Sequence, residues 1–258
     1  MNVERRQMPE TAEFTRYGRD GARLTVERFG VEPTSLFITG IHGDETDIIE
    51  PLHRVLKEKT ATDPRLFGAH LRVMEAHPKA LQQRTRKAGE IDLNRQFGGK
   101  NYPDYPQAKL LADCLLEHKS IDTIFSFHED LDEDRFYFYY QTARDDTGRM
   151  DPVVDTLREN LVNAVESMGI PLYNGIDDID LGYWVNRGFC LVSSDALHDN
   201  TFEMWAVQKE LHEHPAMKRV FLFEIPGKLP VERKEIMIRT IMDTFVQPYL
   251  EAVSVSQK

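Results

Sequence analysis

Short apolar runs rich in β-branched and aromatic residues alternate along this chain with stretches whose apolar positions recur at helical spacing. That alternation predicts an α/β protein, a sheet with helices packed on its faces. The runs at 22–28, 35–41, 70–76, 121–127, 135–140, 189–193 and 219–224 read as strands. QAKLLADCLLEHK at 107–119 and PVVDTLRENLVNAVESMG at 152–169 read as helices. In the second, Leu157, Leu161, Val165 and Met168 mark one stripe and Gly169 suits the C-cap. PVERKEIMIRTIMDTFVQPYL reads as a long final helix with Pro230 in its first turn.

The chain has 258 residues, 41% hydrophobic and 29% charged, enough to bury a large core in one domain spanning 1–258. No internal repeat or low-complexity tract interrupts it. The stretch 174–218 is the least regular, dense in Asp, Gly, Asn and His, and reads either as a loop-rich cap over a site or as surface.

A net charge of -11 argues against nucleic acid and against an anionic membrane, since both would repel such a surface unless a local basic patch overrode it. Cys114 and Cys190 are too few for a disulfide framework and read as reduced core thiols. The start, MNVERRQMPETAEF, lacks the apolar stretch of a signal peptide, and no apolar run approaches the ~20 residues of a membrane span. These features predict a cytoplasmic protein.

SLFITGIHGDETDIIEPL places a strand, a glycine-containing turn, then His42 and Glu45 three apart as a helical pattern begins. Both side chains can then face a point beyond the strand's carboxyl end, where open α/β sheets put their sites. Zinc takes imidazole nitrogen and carboxylate oxygen in sets of three that leave a place for water. An H-x-x-E pair supplies two, although such pairs also arise by chance and His42 could be a turn residue. IDTIFSFHED puts His128 directly after an apolar run, as a third ligand or as a structural histidine. EIDLNRQF offers Asp92, Asn94 and Arg95, the guanidinium suited to bidentate grip on a carboxylate. RVFLFEIP ends an apolar strand with Glu224, an acid whose desolvation is costly unless a charge lies near.

Four ordered motifs, G-I-H-G-D-E at 40–45, D-L-N-R at 92–95, S-F-H at 126–128 and F-E-I-P at 223–226, resemble the zinc carboxypeptidases and their relatives. These relatives include bacterial murein peptide amidases and the aspartoacylase and succinylglutamate desuccinylase branch. The resemblance covers roughly 15–250 and fades between 140 and 218. It implies a three-layer α/β/α fold around a mixed, mostly parallel sheet of about eight strands. It implies one zinc ion on His42, Glu45 and His128, with Glu224 as the carboxylate that activates water and Asp92 as the acid that fixes a ligand histidine. Asn94 and Arg95 would bind the substrate's free carboxylate. An arginine that polarises the scissile carbonyl falls in QQRTRKAG, where Arg86 is preferred, Arg84 is its rival and a solvated basic loop is the plain alternative. Digestive carboxypeptidases carry a mobile tyrosine before the glutamate, but NTFEMW has none; Tyr183 is either a substitute or a packing residue. That departure favours the shorter bacterial branches.

The expected function is hydrolysis of an amide bond next to a free carboxylate, by a metallo-carboxypeptidase or peptide amidase. The alternatives are an N-acyl amino acid deacylase and a non-catalytic binding protein on the same fold. The partner is a small peptide or acyl amino acid. His212 and His214 read as exposed, and His53, His70, His77, His118 and His198 carry no assigned role.

Overall fold

The computed structural model describes residues 11–63, 68–97, 103–142, 150–177, 183–193, 200–207 and 219–256. In chain order they form strands β1 (Thr11–Tyr17), β2 (Arg23–Phe29), β3 (Ser35–Ile38), β4 (His70–Val73), β5 (Thr123–Asp130), β6 (Tyr137–Thr142), β7 (Gly175–Ile176), β8 (Trp184–Val185), β9 (Phe189–Ser193) and β10 (Arg219–Pro226). The helices are α1 (Ile49–Thr62), α2 (Pro78–Gln83), α3 (Pro106–Glu117), α4 (Pro152–Ser167), α5 (Phe202–Val207), α6 (Val231–Ile241) and α7 (Gln247–Ser256).

Eight strands make one sheet in the order β1-β2-β4-β3-β5-β10-β6-β9, and β7 and β8 form a small hairpin apart from it. The centre, β4-β3-β5-β10, is parallel; β2 runs against both β4 and β1, while β6 runs against β10 and parallel to the edge strand β9. Alternate residues of a strand face opposite sides, and the central strands use both. On β5 and β10, Phe125, Phe127, Phe221 and Phe223 face a layer built from α1, α4, α6 and α7. Their rings meet in register, Phe125 stacked on Phe221 at 5.6 Å and Phe127 tilted against Phe223 at 5.0 Å between centroids. Ile124, Val220 and Leu222 face the other layer, with α3 and α5. Toward the carboxyl ends this second face changes from apolar to Ser126, His128 and Glu224, with Glu224 paired to His128 in register. The sheet thus delivers chemistry to one side only.

The three-layer architecture matches the expectation, and all seven anticipated strands are present. Two end early: β3 stops at Ile38, where Gly40 soon turns the chain with φ 69, and β4 stops at Val73. The edge strand β1 was not anticipated, since TAEFTRY alternates exposed with half-buried positions and never forms an apolar run. Helix α4 buries Val154, Leu157, Leu161 and Val165 and ends before Gly169, whose φ of 71 suits the C′ position. Pro230 caps α6 from outside and does not enter its first turn; a π-helical turn, Met242–Val246, joins α6 to α7.

Within 174–218, residues 178–182, 194–199 and 208–218 lie outside the described residues, as do His198, His212 and His214. The rest is more regular than a loop-rich cap: β9 completes the sheet, and α5 is buried along its whole length. Cys114 and Cys190 are free and buried. Among the described residues no helix is long and apolar enough to cross a membrane.

Candidate metal centre and catalytic cleft

The turn after β3 owes its shape to two glycines. Gly40 adopts a left-handed conformation, and a Cβ on Gly43 would lie 2.1 Å from the Ala80 carbonyl carbon, so α2 can approach only a glycine there. Thr39 Oγ1 donates to the Phe127 carbonyl at 2.8 Å, tying this turn to β5. His42 and Glu45 are thereby held beside His128, and ligand atoms of the three buried residues lie within 4.8 Å of one another.

Each imidazole presents Nδ1 to Glu45 and Nε2 to a second carboxylate. His42 Nδ1 contacts Glu45 Oε1, and His42 Nε2 faces Asp92 Oδ1 at 3.5 Å. His128 Nδ1 lies 3.1 Å from Glu45 Oε2, while its Nε2 meets Glu203 Oε1 at 3.1 Å. Ser126 Oγ donates to the same Glu203 oxygen at 2.7 Å. A carboxylate behind each histidine fixes the ring and raises its basicity, as metal-binding imidazoles require. Two neutral-capable nitrogens and a carboxylate, buried and convergent, are a donor set that zinc fits.

The electrostatics agree with that reading. Burial opposes ionisation of Glu45, yet the two imidazoles outweigh it and hold its carboxyl well below the usual range. Burial likewise opposes charge on His42 and His128, and Glu45 with Asp92 or Glu203 raises both. Asp92 is brought down to about 2, against its burial, by His42, Arg86 and Arg95. Glu224 goes the other way: burial, reinforced by Glu45, Asp130 and Asp177 against His128, pushes it up to about 8.

These groups open into a cleft of about 380 Å³. Arg86 lies at its mouth, with Nη1 3.7 Å from Glu45 and Nε 3.6 Å from Asp92. Arg95, Asn94, Tyr183 and Glu224 also line it. Arg84 does not: it ends α2 with φ 52, and its backbone N–H closes that helix. The Asn94 side-chain oxygen accepts from Phe202 N at 2.9 Å, so this residue anchors the start of α5 besides lining the cleft. Asp130, Asp132 and Asp177 add acidic groups to the lining; Tyr137 donates to Asp130 at 2.7 Å and Tyr139 donates to Asp177.

Glu203 was missed from the sequence. It sits in the NTFEMW segment, and an acid in the first turn of a short helix carries no sign of its distant partner. The remaining described histidines have structural roles: His53 pairs with Glu27 at 3.0 Å, His70 stacks on Phe29, His77 caps α2 and His118 bonds to the Cys114 carbonyl.

Fold and donor set together are similar to those of one class, the zinc carboxypeptidases and their relatives. Within that class, residues 32–159 match the family described as the Succinylglutamate desuccinylase/Aspartoacylase catalytic domain. Among solved structures, a candidate metallopeptidase from Shewanella amazonensis superimposes with a TM-score of 0.68 at 20% identity, covering 92% of this chain and 86% of that one. A metallo-carboxypeptidase from Burkholderia cenocepacia gives 0.61 at 15% identity, over 96% of this chain and 66% of that one. The succinylglutamate desuccinylase from Chromobacterium violaceum gives 0.57 at 17%, over 92% and 74%. At these identities the likeness speaks for the fold. No curated protein matches the chain.

Proposed function

We propose that this protein is a zinc-dependent hydrolase that cleaves an amide bond adjacent to a free carboxylate. The observation that carries the proposal is the convergence of His42, Glu45 and His128 in one cleft, with Glu224 in register beside His128 on the neighbouring strand. Zinc held by those three residues would supply Lewis-acid polarisation and a water acidic enough to be deprotonated near neutral pH.

The chain's own residues do the rest. Glu224 takes a proton from the attacking water and delivers it to the leaving amine. Arg86, beside Glu45 at the mouth of the cleft, faces the carbonyl oxygen as negative charge grows on it. Arg95 grips the substrate carboxylate, assisted by the Asn94 amide N–H. Tyr183 lines the substrate side of the cleft.

Two substrate classes fit this chemistry. The acidic lining residues Asp130, Asp132 and Asp177 would repel a second carboxylate, which favours a peptide over a dianionic acyl amino acid. The family match over 32–159 favours the deacylase reading. Metal analysis of the purified protein, followed by C-terminal dipeptides, D-glutamyl peptides and N-acyl amino acids with and without chelator, separates them. The expected result is one zinc per chain and turnover of a carboxylate-bearing peptide that stops on metal removal and returns with zinc. Activity that survives complete metal removal overturns the proposal, and preference for acyl amino acids selects the second class.

A further inference from the structure

A second cavity, of about 820 Å³, lies between the β1–β2 turn, α2 and the start of α3. Three cations line it, Arg19, Arg23 and Lys79, against one carboxylate, Asp20. Among the described residues none of the three cations makes an ion pair, on a chain whose net charge is -11. Three unpaired cations against one carboxylate leave this lining with a local excess of positive charge.

The second observation is His77, which lines the cavity and is 1% exposed. Its Nδ1 accepts from the Ala80 backbone N–H at 3.4 Å as the cap of α2. In the neutral ring the proton must then sit on Nε2. Burial lowers the pKa of this histidine, which keeps the ring neutral. Nε2 is buried and meets no hydrogen-bond partner, an unsatisfied N–H donor on a residue that lines the cavity. The twelve-residue helix α3 begins at the same wall, with Tyr105 at its N-cap and no side-chain cap. Its first turn adds the positive end of a helix dipole to the donors.

We propose that this cavity binds a small oxyanion carrying two or more negative charges, a phosphate-bearing or polycarboxylate metabolite, at a site separate from the metal cleft. The site does not depend on the hydrolase reading, and its test reads binding, not turnover. Calorimetric titration of the full chain with inorganic phosphate and, separately, with citrate, at constant ionic strength set by sodium chloride, provides the measurement. Saturable binding at millimolar concentration or tighter is expected for at least one of the two, and the tighter one assigns the class. Arg23→Glu combined with Lys79→Glu should weaken that binding by at least about tenfold, the loss of a charge-assisted contact or more. His77→Asn keeps a competent helix cap while removing the Nε2 donor, and should weaken binding by about threefold or more at unchanged melting temperature. Binding that is equal in chloride alone, or insensitive to these substitutions, overturns the proposal. So does binding lost on Arg95→Ala instead, which would put the anion in the metal cleft.

Discussion

A carboxyl group taken out of water keeps its proton unless a cation compensates, and Glu224, pushed up to about 8, is in that position while no metal is bound. Unfolded, its pKa returns to about 4.3. The folded state therefore holds the proton more tightly, so the associated stability is fully present at low pH and is lost as pH rises through about 8. Glutamine never ionises and escapes that loss. In chelator-treated protein, Glu224→Gln should gain on the wild type by on the order of 3 kcal/mol between about pH 5 and pH 8.5 in urea unfolding. Saturating zinc, which favours the carboxylate, should shrink the gap; a gap independent of pH would remove the basis for the assignment. With zinc restored, the same variant should bind substrate normally and lose about 10²–10⁴ in kcat. Glu203 acts one bond further out, through His128. Glu203→Ala should weaken zinc affinity by about 10–100-fold in a competition with a calibrated chelator, with Glu203→Gln in between. An unchanged affinity would make Glu203 merely a packed acid.

The elements bring these residues together by close approach, and the tightest case is Gly43 against α2. A methyl group there would lie 2.1 Å and 2.3 Å from the Ala80 carbonyl carbon and oxygen, which are backbone atoms that cannot swing aside. Gly43→Ala should cost about 3 kcal/mol in urea unfolding and weaken zinc binding, because the turn bearing His42 must move off the helix. Full retention of both would mean that α2 shifts freely. The G-I-H-G motif was readable in the sequence because its glycines, His42 and Glu45 are local, and His128 and Glu224 were readable because each ends an apolar strand. What could not be read were pairings across the chain. Glu203 meets His128 from 75 residues away, and Asn94 accepts from Phe202 N across 108. Neither polar residue differs in sequence from one facing solvent. Arg86 is preferred to Arg84 on the resemblance alone; the left-handed end of α2, which holds Arg84, and the cleft lining, which includes Arg86, separate the two in space. The strand β1, half exposed along its length, lacked the apolar run by which the other strands declare themselves.

At the scale of the whole molecule, the turn that carries the candidate ligands His42 and Glu45, the centre of the sheet and the C-terminal helices must hold one geometry, and a buried lysine joins all three. Lys234 on α6 is 1% exposed, donates to Glu129 Oε1 at 2.5 Å and to Asp47 Oδ2 at 3.0 Å, while Glu129 Oε2 accepts from the Asp47 backbone N–H at 3.0 Å. Asp47 lies two residues after Glu45 and Glu129 directly follows His128, so this clamp ties together the two segments that bear the candidate ligands. Removing one member of a buried ion pair leaves the other charge uncompensated, at a cost of about 3–5 kcal/mol, whereas removing both charges is often close to neutral. Lys234→Met should therefore destabilise the protein by that amount and weaken zinc binding. Lys234→Met with Glu129→Gln should return to within about 1–2 kcal/mol of the wild type, the difference measuring the coupling. If the ligand spacing depends on the clamp, the double variant recovers stability but not zinc affinity, because the amide no longer pulls α6 onto the turn. Equal recovery of both would show that packing alone keeps Glu45 and His128 together.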